Sequence, residues 1–102
     1  MSTLHTVNKS SFTHSTLLSC LEVCSINDGV LLIEDGVFGA MNSSPSAEQL
    51  IAAMSKGIKV YVLNGDVKAR GLSAKLIPDI TITDYDEFVQ LSIKHRCVQS
   101  WY

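Results

Sequence analysis

The sequence contains no apolar run approaching the ~20 residues that span a bilayer, so no membrane helix is expected. Nor does the opening segment, Met1 to Lys9, place a basic stretch before an apolar one. No secretory signal is therefore expected, and the cytoplasm is the expected location. Charge of a single sign is also missing: eight Lys and Arg are scattered among ten Asp and Glu, for a net charge of −2. A surface that follows phosphates needs clustered cations, because affinity comes from neutralising several at once. Direct nucleic-acid binding is not expected. Cysteine is scarce and odd in number, Cys20, Cys24 and Cys97, which cannot close a disulfide set. These read as free thiols in a reducing compartment.

The common catalytic signatures are absent as well. Glu34-Asp35-Gly36-Val37-Phe38-Gly39 lies where nucleotide folds put a glycine-rich turn, but it is not G-x-G-x-x-G, and no phosphate-loop motif occurs. Two carboxylates there would repel a phosphate, so a plain tight turn is the expected reading, and no cofactor is expected. The same pair could serve acid–base chemistry, though it equally suits a solvated turn or an interface rim. His5, His14 and His95 are isolated along the chain, and Cys20-x-x-x-Cys24 has no second pair, so no metal site is expected. No G-x-S-x-G elbow marks a serine hydrolase.

What is present describes one domain over residues 1–102, 46% hydrophobic and 18% charged. Leu4–Val7 is β-prone, and turn-formers follow it. From Phe12 to about Ser25 the apolar period becomes helical, with Leu17, Cys20, Leu21 and Cys24 on one stripe. Asn27-Asp28-Gly29 ends it. Val30–Ile33 is a continuously apolar strand, as in parallel sheets buried on both faces. Met41–Ser46 is a polar loop. A second helix is predicted over Ala47–Lys56, with Ser46 and Gln49 as a capping box and Gly57 at its end. Strands follow at Lys59–Leu63, closed by Asn64-Gly65-Asp66, and at Ile80–Thr83, with a short helical turn over Val67–Arg70 between them. Asp84 and Glu87 open a last helix with Tyr85, Phe88, Val89 and Ser92 on one side, and Cys97–Trp101 adds a short final strand. Alternating strands and helices imply right-handed crossovers and an α/β fold with a mostly parallel sheet flanked by helices.

Local chemistry nominates no cysteine. Cys20 and Cys24 lie one helical turn apart on an apolar stripe, where cysteine ordinarily packs as a small hydrophobe. Neither has a cation at the neighbouring helical positions, and burial with Glu22 nearby raises a thiol pKa. Cys97 follows His95 and Arg96, but in a strand Arg96 points to the opposite face.

Several segments taken together resemble the DsrH/TusB family. They are Leu4-His5-Thr6, Leu31-Leu32-Ile33-Glu34-Asp35-Gly36-Val37, Lys59-Val60-Tyr61-Val62-Leu63 and Ala69-Arg70-Gly71-Leu72, then Asp84-Tyr85, Phe88-Val89, Leu91, Lys94-His95 and Trp101. The match is collinear over nearly the whole chain. This resemblance implies a flavodoxin-like fold and a heterohexamer with DsrE/TusD-like and DsrF/TusC-like subunits. Such complexes take persulfide sulfur from a TusA-like carrier and hand it to a DsrC/TusE-like acceptor. They serve either oxidation of stored sulfur or 2-thiolation of the tRNA wobble uridine. The principal acceptor cysteine is implied to lie on the DsrE/TusD-type subunit. Cys20 matches a first-helix cysteine of DsrH-type chains and is the candidate persulfide carrier here. The alternative is a structural subunit carrying no persulfide of its own. The opening Leu4-His5-Thr6-Val7-Asn8-Lys9-Ser10 also leans towards DsrH, whereas Cys24 departs from the pattern.

Overall fold

The computed structural model describes residues 2–102 as a five-stranded, all-parallel sheet with helices on both faces. In chain order the elements are β1 (Thr3–Val7), α1 (Thr16–Val23), β2 (Gly29–Leu32), a 3-10 helix (Glu34–Ala40), α2 (Ala47–Ser55), β3 (Lys59–Leu63), α3 (Asn64–Ala69), β4 (Thr81–Thr83), α4 (Tyr85–Lys94) and β5 (Cys97–Trp101). The strand order across the sheet is β4-β3-β2-β1-β5. The chain thus steps outward from β1 to β4, and α4 then carries it back across the sheet to the far side of β1.

That route gives the two faces different covers. Side chains alternate along each strand, so Val7, Val30, Leu32, Val60 and Val62 share one face. They form the main core with Leu17, Cys20, Leu50, Ala53 and Val67 from the helices. On the opposite face Leu4 and Leu31 are fully buried. There His95, just past α4, approaches Gly29: a methyl group added at Gly29 would lie 3.2 Å from its Nε2. β2 is buried at all four positions, as expected of an unbroken apolar run inside a parallel sheet.

Several local predictions are corrected by the structure. The first helix begins at Thr16 rather than Phe12, because Ser10 gathers the preceding segment into a turn. The Thr13 and His14 N–H groups both donate to the Ser10 carbonyl, and the Phe12 N–H donates to Ser10 Oγ. Asn64-Gly65-Asp66, expected to end a strand, is the first turn of α3. Ser46 does not cap α2 with Gln49. Its hydroxyl instead joins Ser11 (2.9 Å) and Ser44 (2.8 Å) in a closed triangle of serines and also donates to the Gly39 carbonyl. A buried hydroxyl takes whichever partners its surroundings offer, and here tertiary partners outcompete the local N–H.

α4 does carry the expected capping box: Asp84 accepts from the Glu87 N–H at 2.8 Å, and Glu87 accepts from the Asp84 N–H at 3.0 Å. Its inward side is Phe88, Leu91 and Ser92, not the predicted Tyr85 and Val89, which are exposed. No α4 residue is fully buried, so packing holds this helix weakly and the cap matters more than usual. Asp84→Ala should cost about 1 kcal/mol, read as a lower urea midpoint at unchanged slope. An unchanged midpoint would show that the cap contributes nothing.

Candidate functional site

Three side chains that are distant or unremarkable in sequence converge beneath α1. His5 is the middle residue of β1, and Cys20 and Cys24 occupy the end of α1; one ring nitrogen and the two sulfurs lie within 4.8 Å of one another. Cys24 is the residue at which the helix stops, its ψ of 142° turning the chain into extended backbone. Its thiol donates to the Cys20 carbonyl at 3.3 Å, one of the carbonyls that a helix end leaves unpaired. Cys20 is completely buried; Cys24 is only partly covered.

Asp28, in the turn before β2, holds the cluster together. It is 6% exposed and accepts from the Thr3 N–H at 3.0 Å, the Ser25 N–H at 3.1 Å and His5 Nε2 at 3.1 Å. The tautomer of His5 follows from its other neighbour. Trp101 Nε1, which can only donate, lies 3.1 Å from His5 Nδ1, so Nδ1 is the acceptor and Nε2–H points at Asp28. Trp101, His5 and Asp28 therefore form one directed chain of hydrogen bonds linking β5, β1 and the β2 turn.

The electrostatics separate the two thiols. The hydrogen bond shared with Cys24, then burial, push Cys20 far above the ordinary thiol range, and the charges of Cys24 and Asp28 add to this. The hydrogen bond from Cys20 lowers Cys24, against burial and Asp28. Of the pair, Cys24 is also the member with access to water. The α1 dipole gives neither thiolate help, since both lie at its negative end. For Asp28, burial acts to raise the carboxyl pKa. The N–H donors of Ser25 and Thr3, together with His5, outweigh it and hold the group below its ordinary value.

The cluster sits towards the amino ends of β1 and β2, opposite the edge where α/β folds usually place their sites. At the carboxyl edge, the Asp35 carboxylate and the Glu34 N–H are already engaged. Arg70 donates to Asp35 through Nε (3.1 Å) and Nη2 (3.0 Å) and lies 3.6 Å from Asp66. Asp66 in turn accepts from the Glu34 N–H at 2.8 Å. These carboxylates brace the 3-10 helix against α3. Cys97 is exposed on β5 and joins no such cluster among the described residues; His95 spends Nδ1 on the Leu91 carbonyl at 2.8 Å.

The family resemblance singled out Cys20; sequence reasoning gave Cys24 no role and missed His5 and Asp28. Histidines scattered along a chain gave no sign that one would meet the cysteines in space. An imidazole with two sulfurs is a donor set that soft metals accept, but here both His5 nitrogens are committed, to Asp28 and to Trp101.

A groove of about 770 Å³ between α2 and the β3–β4 edge is lined by neither cysteine nor histidine. A second, about 450 Å³, runs between α1 and α2 and is lined by Cys24, with Leu21, Glu22, Gln49, Ala52 and Lys56 around it.

Comparison with known proteins agrees with this architecture. Solved structures of similar shape include a protein of unknown function from Methanobacterium thermoautotrophicum, with a TM-score of 0.81 at 11% identity over 97% of both chains. The ychN protein of Escherichia coli gives a TM-score of 0.78 at 16% identity, over 98% of this chain and 99% of that one. At these identities the likeness concerns the fold. Protein TusB of Erwinia tasmaniensis is 37% identical over 96% of this chain and 99% of its own length, and Protein TusB of Escherichia coli K12 is 38% identical over the same shares. The family model described as DsrH like protein matches residues 9–98. This chain belongs to the DsrH/TusB family.

Proposed function

We propose that this protein is a cytoplasmic subunit of a sulfur-relay complex, in which Cys20 carries persulfide sulfur on its way from a TusA-like donor to a DsrC/TusE-like acceptor. The observation that carries the reading is the cluster of Cys20, Cys24 and His5 inside a chain of this family. Two adjacent sulfurs beside an oriented imidazole suit thiol–persulfide exchange, which needs one thiolate, one nearby thiol and a route for a proton. The process served is oxidation of stored sulfur or 2-thiolation of the tRNA wobble uridine. The first-helix Cys20 supports the former branch, and the name shared by the relatives supports the latter. Among the described residues no helix is long and apolar enough to cross a membrane.

The partners in this reading are DsrE/TusD-like and DsrF/TusC-like subunits, and the surface supports an assembly. On α4, Tyr85 (67% exposed), Val89 (39%) and Ile93 (70%) stand at four-residue spacing, a solvent-facing apolar stripe beside the capped, weakly buried helix. Co-expression with DsrE-like and DsrF-like chains should return a stable hetero-oligomer. Val89→Asp with Ile93→Asp should release this subunit while leaving its own fold intact by circular dichroism. Recovery of a well-behaved monomer from wild-type co-expression contradicts the assembly.

A second reading, a structural subunit with no persulfide of its own, is favoured by one fact: Cys20 is sealed from solvent. Loading the full chain from a persulfide donor and mapping sulfur by mass distinguishes the two. Sulfur on Cys20 supports the carrier; no sulfur on any cysteine leaves the structural subunit.

A further inference from the structure

We infer that Cys24 is the port through which sulfur enters this chain, and that the sulfur then passes across the end of α1 to Cys20. The inference rests on the sulfur-relay reading and adds a residue and a direction to it. Cys20 has no exposed surface, so a donor cannot reach it in this conformation. Cys24 is within 4.8 Å of it and opens onto the groove between α1 and α2. That groove, about 450 Å³, has room for a small persulfide or the tip of a partner's loop. Lys56 is the one cation among its lining residues and can neutralise an arriving or departing thiolate.

The geometry also explains how sulfur could go further. A persulfide on Cys24 extends that side chain by one S–S bond, about 2 Å, towards a Cys20 sulfur that lies within 4.8 Å. Because Cys24 ends the helix, its side chain can swing without breaking a helical turn beyond it.

Both steps balance without an external oxidant. First, the Cys24 thiolate attacks the outer sulfur of a donor persulfide R–S–SH. A bond forms between Cys24 Sγ and that sulfur, the donor's S–S bond breaks, and R–S⁻ leaves. Next, the Cys20 sulfur attacks the outer sulfur now on Cys24. The S–S bond to Cys24 breaks, and the departing Cys24 thiolate takes the proton that Cys20 gives up. The transferred sulfur keeps its oxidation state throughout, and the same steps in reverse lead out.

The test uses the full chain, freed of metal by a chelator and loaded with glutathione persulfide for graded times. Trapping with an alkylating agent and peptide mapping then locates the sulfur. In the wild type, sulfur should appear on Cys24 first and on Cys20 later. Cys24→Ser should lose sulfur from Cys20, and Cys20→Ser should keep it on Cys24. Sulfur arriving on Cys20 in Cys24→Ser, or on Cys20 before Cys24 in the wild type, overturns the port while leaving the relay reading intact. No sulfur on any cysteine of the wild type overturns both. The wild-type time course needs no variant to fold, so loss of structure in Cys24→Ser cannot imitate the result.

Discussion

Asp28→Ala should lower stability by about 3 kcal/mol, equivalent to roughly 10–20 °C in melting temperature for a domain of this size. The carboxylate is almost fully buried and satisfies three donors at once: the N–H groups of Thr3 and Ser25 and His5 Nε2–H. An alanine leaves those donors inside the protein without an acceptor, and each orphan forfeits its solvation in full. The change reaches beyond the turn. Thr3 opens β1, and His5 is held between Asp28 and Trp101, so the β1–β5 side of the sheet loosens with it. Urea unfolding at neutral pH measures the loss.

The pH dependence gives the same prediction a second check. Native donors hold Asp28 below its ordinary 3.8. A group depressed in the folded state contributes stability above its unfolded pKa and loses it as pH falls through the folded value. The gap between wild type and Asp28→Ala should therefore be constant around neutrality and narrow as pH falls below 3.8. Asp28→Asn retains a carbonyl acceptor without the charge and should fall between the two. A variant as stable as the wild type at neutral pH would show that the turn holds without its carboxylate.

Gly36→Ala should be at least as damaging, at about 3 kcal/mol or more, with much of the product insoluble. Gly36 lies in the 3-10 helix directly against the end of β1. A methyl group there would stand well inside van der Waals contact distance of the Val7 carbonyl oxygen and 2.9 Å from its carbon. The obstacle is backbone, and that same carbonyl accepts from the Ile33 N–H at 3.0 Å. Neither side can give way without displacing β1 or the 3-10 helix, in a core with no slack to absorb it. Gly65→Ala is the matched control: nothing lies within 4 Å of its added methyl, and it should leave the melting temperature nearly unchanged. Equal melting temperatures for the two variants would contradict the steric account.

The glycine-rich segment illustrates how sequence and structure divide the explanation. Read along the chain, Gly36 and Gly39 suggest a plain tight turn. In the fold both are buried, and a methyl at Gly39 would meet Leu17 Cδ2 at 2.9 Å. Their small size serves close packing. Beside them the Asp35 carboxylate is likewise taken up by Arg70, and the Glu34 N–H by Asp66, residues more than thirty positions away.

By itself, the sequence determined the architecture and the family. Continuous apolar runs at Val30–Leu32 and Val60–Leu63 can be satisfied only between two covered faces, and the helical stripe of Leu17 and Cys20 supplies one cover. Capping of α4 by Asp84 and Glu87 was legible because both partners lie within one turn of chain. The family resemblance spread along the chain singled out Cys20. Tertiary structure alone decided what surrounds it. His5 lies 15 positions before Cys20 and Trp101 lies 96 positions after His5, and periodicity carries no information about which residues a parallel sheet and its crossovers bring together. It also decided which thiol faces water. Both cysteines share one helical stripe, but α1 ends at Cys24, and the break in the helix that exposes one sulfur leaves the other sealed in the core.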